Sequence, residues 1–275
     1  MLTYLIEIFI MKQANHLPEY RNNCFITCIL LLLIAMAACA PQPERERMNI
    51  IVTTQTEGFR HSNIPVAVKA LKNLAIENNW QLFHTEEPHY FKKENLDTLD
   101  LIIFLQTTGN IFEDEQKQAI EKFVEEGGGL LTIHSGTVTE NDWKWYIDNL
   151  GAVFIGHPPV QEGRLIIEDR NHPSTVFFPD SIWVIEDEWY FFDRNPRQDV
   201  HVVISIDKMS NDADNNKWFD GLEQGLGHHP LVWYKHVGQG RIFQTALGHP
   251  EELYSDHLFI KHLEGAIFWT AGYKD

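Results

Sequence analysis

Three short stretches set polar, reactive side chains directly behind apolar runs: Gly58-Phe59-Arg60-His61, Gln106-Thr107-Thr108-Gly109 and His134-Ser135-Gly136. Thirteen of the fourteen histidines lie beyond residue 39, several of them beside Gly or Pro: His157 before Pro158, His172 before Pro173, His229 before Pro230 and His249 between Gly248 and Pro250. Such positions expose the ring at defined places. Imidazole titrates near neutrality and binds divalent metals, so a histidine cluster can supply an acid, a base or metal ligands. No pair has tight metal-ligand spacing, so a divalent-metal site would depend on tertiary convergence. His172 and His228 read as turn or rim residues. The densest group is Glu186-Asp187-Glu188-Trp189-Tyr190, three carboxylates beside two aromatic rings. Strand alternation puts Glu186 and Glu188 on one face and Asp187 on the other. Neighbouring carboxylates raise one another's pKa, which prepares one as a general acid or base. Trp189 and Tyr190 offer a platform for sugar C–H faces; the alternative is a solvated strand end with an aromatic staple into the core.

The elements that must position these residues follow from hydrophobic periodicity. Met48 to Thr54 is a β-branched apolar run, followed by a polar loop and a segment in which Ala67, Leu71, Leu74 and Ala75 recur at helical spacing. Pro65 falls in the first helical turn, where its missing N–H costs little. Strands are expected at Gln81 to His84, Leu101 to Leu105 and Leu130 to Ile133, with a helix marked by Ala119, Ile120, Phe123 and Val124 and stopped at Gly127 to Gly129. Apolar strands without alternation, separated by helices, indicate an α/β fold, a flavodoxin-like parallel sheet with helices on both faces. Beyond Gly151, strand candidates at Arg164 to Glu168, Ile182 to Glu186, Val200 to Ile206, Leu231 to Lys235 and Arg241 to Ala246 form a β-rich extension. Asn211 to Lys217 reads as a loop and His257 to Ala271 as a closing amphipathic helix. In an open parallel sheet ligands bind outside the carboxyl ends of the strands, so the three polar loops should converge. His134 occupies the strand-to-helix turn where a nucleophile elbow would sit. A hydrolase using Ser135, one position off the elbow, and a purely structural histidine are the alternatives.

The N-terminal forty residues differ in kind. Arg21 precedes an apolar run from Phe25 to Ala38 that is short for a spanning helix and ends in small residues, as a signal peptide does. Met36-Ala37-Ala38-Cys39 resembles a lipobox, which implies lipidation at Cys39 and a periplasm-facing or surface-exposed protein on the bacterial cell envelope. An uncleaved anchor is the alternative, and Met1 or Met11 is the start. Residues 40–47 suit a tether, leaving 48–275 as one domain. Cys24, Cys28 and Cys39 are the only cysteines, so the domain has no disulfide and no thiol nucleophile. A net charge of −17 leaves no basic face for nucleic acid or an anionic membrane, so membrane contact runs only through the N-terminal lipid.

From Met48 onward the motifs, taken in order, resemble the ThuA-like family: Gly58-Phe59-Arg60-His61, Gly129 through His134-Ser135, Gly156-His157-Pro158, His172-Pro173, Asp187-Glu188-Trp189-Tyr190, His229-Pro230-Leu231-Val232-Trp233, Gly238 through Arg241, and Leu247-Gly248-His249. The resemblance implies a class I glutamine amidotransferase-like fold and a link to trehalose-type disaccharides or keto-sugars, with a partner oxidoreductase in prospect. The elbow carries His134 where amidotransferases have cysteine, which excludes glutamine hydrolysis through a thioester. On this reading His134 and Glu188 are the candidate catalytic pair. His61, Gln106, Ser135, His157, Asp187, Trp189, Tyr190 and His249 are candidate contacts to a carbohydrate or to a divalent metal. A non-catalytic carbohydrate-binding lipoprotein and a metal-dependent hydrolase are the competing expectations.

Overall fold

Three short apolar runs build the centre of the molecule. In the computed structural model, which describes residues 47–207 and 228–274, they are β1 (Asn49–Thr53), β3 (Leu101–Leu105) and β4 (Gly129–Ile133). Every residue of β3 and β4 is buried. A strand covered on both faces has no reason to alternate polar with apolar, which is why these runs are continuous. With β2 (Gln81–Thr85) and β11 (Gly240–Thr245) they form a parallel half-sheet in the order β2-β1-β3-β4-β11.

Helices cover both faces. Helix α1 (Ile64–Glu77) carries Pro65 in its first turn and buries Ala67, Leu71, Leu74 and Ala75, the residues at helical spacing. It packs with α5 (His257–Thr270) on the side of the sheet that receives Leu101, Ile103 and Leu105. The opposite side takes Ile102 and Phe104, packed against Ile120 and Val124 of α3 (Asp114–Glu125) and Tyr146 and Leu150 of α4 (Lys144–Leu150). A short helix, α2 (Lys93–Leu96), precedes β3. Helix α3 starts with a reciprocal capping box between Glu113 and Gln116, which satisfies two of the orphan N–H groups at its N-terminus.

The β-rich extension is not a separate layer. Strands β10 (His229–Val237), β9 (His201–Ile206), β6 (Gln161–Ile167) and β7 (Ile182–Asp187) continue the same sheet antiparallel beyond β11, giving nine strands in all. Gly163 on β6 leaves the space that the Trp189 indole fills, and a Cβ there would collide with the ring. A separate two-stranded antiparallel ribbon pairs β5 (Phe154–Gly156) with β8 (Phe191–Phe192), and no sequence signal marks it, because two or three residues carry no readable period. The loop expected at Asn211 to Lys217, the signal segment with Cys39, and residues 40–46 of the tether lie outside the described residues. Among the described residues no helix is long and apolar enough to cross a membrane.

Candidate functional site

The three polar loops converge at the carboxyl ends of β1, β3 and β4. Thr56 bridges to Thr108, the Gly58 N–H donates to Thr108 Oγ1 at 3.3 Å, and the Thr108 hydroxyl donates back to the Phe59 carbonyl at 2.9 Å. This clasp carries His61 over the end of β4, where its ring meets His134 edge-on with centroids 4.8 Å apart.

His134 follows β4 directly, with φ 61° and ψ −100°, and a 3₁₀ turn, Ser135–Val138, begins at the next residue. A non-glycine residue at positive φ is strained, and strain of this kind persists only where the surroundings over-determine it. Here they do. The His134 N–H donates to the Thr245 carbonyl at 2.7 Å, and Nδ1 lies 2.9 Å from the Ala246 carbonyl. A carbonyl only accepts, so Nδ1 carries a hydrogen and Nε2 is the ring nitrogen turned to the site. Nε2 faces the Tyr190 hydroxyl at 2.9 Å, His249 Nδ1 at 3.3 Å and Glu188 Oε2 at 3.5 Å.

Asp187 and Glu188 end up in different roles. Asp187 is fully buried: Oδ1 accepts from the N–H groups of Glu188 at 2.8 Å and His249 at 3.0 Å, and Oδ2 from that of Gly248 at 2.8 Å. It ties the end of β7 to the loop after β11. Gly248, at φ 119°, brings its backbone into this junction and also accepts from Gln106 Nε2 at 2.9 Å. Gln106 is therefore buried behind the site, with a second bond to the Tyr254 hydroxyl at 3.1 Å. Glu188 turns inward, with Oε1 2.9 Å from His157 Nδ1 and Oε2 3.3 Å from His249 Nδ1. The expected pairing of Glu186 with Glu188 on one face does not hold. Regular strand ends at Asp187, so Glu186 points to solvent while Glu188 is buried beyond the alternation.

The electrostatics follow from these contacts. Burial pushes the Glu188 carboxyl up, but hydrogen bonds and charge from His134 and His249 outweigh it and hold the group well below the usual carboxylate range. Of the neighbouring carboxylates expected to include one raised group, Glu188 is therefore not that one. The Glu188 hydrogen bond raises His249 against its own burial. Burial, reinforced by His134 and His249, lowers His61 to about 3. Burial raises Asp187 despite the nearby His134 and three backbone donors. Tyr190 lies well above the ordinary phenol value, through burial and then the charges of Glu188 and Asp187.

Above this group opens a cavity of about 240 Å³. His61, Ser135, His157, Glu188, Tyr190 and His249 line it, with His134 fully buried beneath. Gln106, Asp187 and Trp189 do not reach it; Trp189 is wholly enclosed in the core. His172, expected at a turn or rim, is buried against Tyr234 and Trp269, whereas His228 is exposed. The apolar walls come from Phe59, Val138 and Phe154. Phe59 stood in a motif but was not singled out, and Val138 and Phe154 gave no signal, since an apolar residue near a strand end looks the same whether it lines a cavity or a core. One donor atom from each of His61, His134, Glu188 and His249 lies within 4.8 Å of the others, a set able to hold one metal ion.

A mixed sheet whose parallel half is covered by helices on both faces, with strand β4 ending in a strained elbow occupied by histidine, defines a flavodoxin-like α/β domain with no cysteine at that turn. The chain belongs to the ThuA family, described as trehalose utilisation, whose profile matches residues 49–270. Solved structures of similar fold include two ThuA-like proteins. A ThuA-like protein from Bacteroides uniformis shares 22% identity and a TM-score of 0.67 over 86% of this chain and 96% of its own. One from Parabacteroides merdae shares 18% identity and a TM-score of 0.62 over 84% and 91%. No curated protein sequence matches.

Proposed function

We propose that the protein is a carbohydrate-processing enzyme, whose cavity takes one ring of a trehalose-type disaccharide or of its keto derivative and moves a proton there. Family membership supports a carbohydrate-related role in general. The observation that carries the finer reading is the contrast between floor and wall: an ionised carboxylate bonded to imidazoles below, and Phe154, Phe59 and Val138 around it. A sugar ring has the same two-sided character, with hydroxyls at its edge and apolar C–H faces, and the aromatic faces match the latter. The cavity is slightly smaller than the ~300–1,000 Å³ usual for ligand sites, which fits one ring inside, with the second against the exposed Phe59 at the mouth.

In this reading Glu188 accepts a proton from a carbon next to a carbonyl or from a hydroxyl once the sugar displaces the His134 and His249 contacts that hold its pKa down. The His134 pair with Tyr190 returns one to the oxygen that gains charge, while His157 and His249 orient hydroxyls. A partner oxidoreductase would supply the keto form. The N-terminal segment supports export and lipid attachment at Cys39, testable by loss of radiolabelled palmitate incorporation in Cys39→Ser. The function is tested by incubating the full chain with trehalose, related disaccharides and their 3-keto forms and following products by NMR. Turnover should fall by 10²-fold or more in Glu188→Gln, as general acid–base groups contribute about 10²–10⁴-fold. Full turnover in that variant removes Glu188 from the chemistry. A carbohydrate-binding protein without catalysis is the second reading, favoured by the exposure of Phe59; it predicts saturable binding and no product.

A further inference from the structure

We propose that His61, His134, Glu188 and His249 bind one divalent transition-metal ion of the zinc type, with an open coordination position facing the cavity. With the ion bound, Glu188, His134 and His249 act as ligands in place of the acid–base and orienting roles given above, and only the identity of the oxygen that fills the open position rests on the carbohydrate reading.

The spacing is the first argument. A five-coordinate ion with bonds of 2.0–2.1 Å, four to these residues and the fifth at the open position, keeps neighbouring ligand atoms about 3–3.5 Å apart. The separations here are 3.3 Å for His249 Nδ1 to His134 Nε2, 3.3 Å for His249 Nδ1 to Glu188 Oε2, and 3.5 Å for His134 Nε2 to Glu188 Oε2. His61 completes the set within 4.8 Å. The residue is 6% exposed, and its Nδ1 is buried with no hydrogen-bond partner, although buried polar atoms are paired in the great majority of cases.

The second argument is the shell around the four residues. Metal-bound histidines donate their other ring N–H to a carbonyl or carboxylate, which fixes the tautomer. His134 Nδ1 does so to the Ala246 carbonyl, aiming the Nε2 lone pair inward. His157 engages Glu188 Oε1 and leaves Oε2 for the ion. Asp187 holds the backbone of both Glu188 and His249 from behind. These residues spend their outer hydrogen bonds on orientation, which a surface cluster of acids and imidazoles does not.

The donor set selects the metal. Three imidazole nitrogens and one carboxylate oxygen suit Zn²⁺, Co²⁺, Fe²⁺ or Mn²⁺, whereas Ca²⁺ and Mg²⁺ require oxygen-rich shells of six or more ligands. Binding has a consequence for Tyr190. Once the ion takes the His134 Nε2 lone pair, the phenol loses its acceptor and its O–H turns to an oxygen held at the open position. A hydroxyl or carbonyl oxygen of the carbohydrate would sit there, polarised by the ion and hydrogen-bonded by Tyr190.

The test is elemental analysis of the untagged full chain, purified without chelator, then chelator stripping and titration with Co²⁺, read by visible absorption. One ion per chain and a saturable Co²⁺ spectrum are expected. Both should be lost in His61→Ala and His249→Gln, and affinity should fall about 10–100-fold in His157→Ala, the usual cost of losing an outer-shell partner. Replacing Cys24, Cys28 and Cys39 with Ser should leave the stoichiometry intact. Should His61→Ala fail to fold, His249→Gln at a partly exposed ring carries the test alone, with a thermal melt showing that it is folded. Metal retained at full stoichiometry in folded His249→Gln overturns the proposal, as does a stripped chain that takes up no Co²⁺ at micromolar concentration. Sugar binding measured in the same preparations tells that failure apart from a failure of the carbohydrate reading.

Discussion

Asp187 should matter more to the site than its absence from the cavity wall suggests, and Asp187→Asn isolates why. The carboxylate accepts three backbone N–H groups, two on Oδ1 and one on Oδ2, in a fully enclosed position. An asparagine can place its oxygen where Oδ1 stands and keep the Glu188 and His249 bonds. Its amide nitrogen then faces the Gly248 N–H, donor against donor. A buried group stranded in this way costs about 1–3 kcal/mol, and the amide recovers part of that by avoiding the desolvation that raises the Asp187 carboxyl. A net loss near 2 kcal/mol follows, or about 4–8 °C in Tm for a domain of this size. Asp187→Ala strands all three donors and should approach the 4–5 kcal/mol that marks the exceptional end of single substitutions. Urea unfolding followed by tryptophan fluorescence measures both. An Asn variant within about 0.5 kcal/mol of wild type, the range of indifferent surface changes, would refute the assignment of Asp187 as the strut between β7 and the loop after β11.

Two further outcomes follow from the geometry. At His134 the backbone sits at φ 61°, so His134→Gly should unfold at higher denaturant than His134→Ala by about 1–2 kcal/mol, reversing the ordinary order of these residues; equal midpoints would deny the strain. Burial raises Glu168, but bonds from Arg197 at 2.6 and 2.8 Å and Ser205 at 2.5 Å outweigh it and lower its pKa. A lowered folded pKa gives stability that is present above the unfolded value near 4.5 and lost as pH falls. The Tm gap between wild type and Glu168→Gln should therefore be full above about pH 5 and close below it; a gap constant down to pH 3 would contradict the assignment.

The parallel half of the fold was legible because burial on both faces of β1, β3 and β4 removes polar residues and leaves uninterrupted apolar runs. The strand ends then pointed to the loops of His61 and His134. What was not legible depends on long-range register. His249 reaches His134 only because β11 lies parallel beside β4, with Thr245 opposite Ile133, a pairing that no local pattern encodes. The fate of Glu188 turns on where β7 stops, and a one-residue error in a strand end exchanges a solvent-facing carboxylate for a buried one. Trp189 beside three carboxylates read as a ligand platform, yet Gly163, twenty-six residues earlier, opens the core to its indole. His172 shows the same limit: a histidine before proline looks like a turn, and its aromatic neighbours Tyr234 and Trp269 come from other elements.

The proposed carbohydrate binding takes place at the floor formed by Glu188 and its histidines. Calorimetric titration of the full chain with trehalose and 3-keto-trehalose, beside a folded Glu188→Gln variant, tests it most directly. A hydrogen bond to a charged group contributes about 1.5–3 kcal/mol, so saturable one-to-one binding should weaken about 10–150-fold in the variant. Binding of equal strength in both proteins, or no saturable binding of any disaccharide by the wild type, would contradict the account.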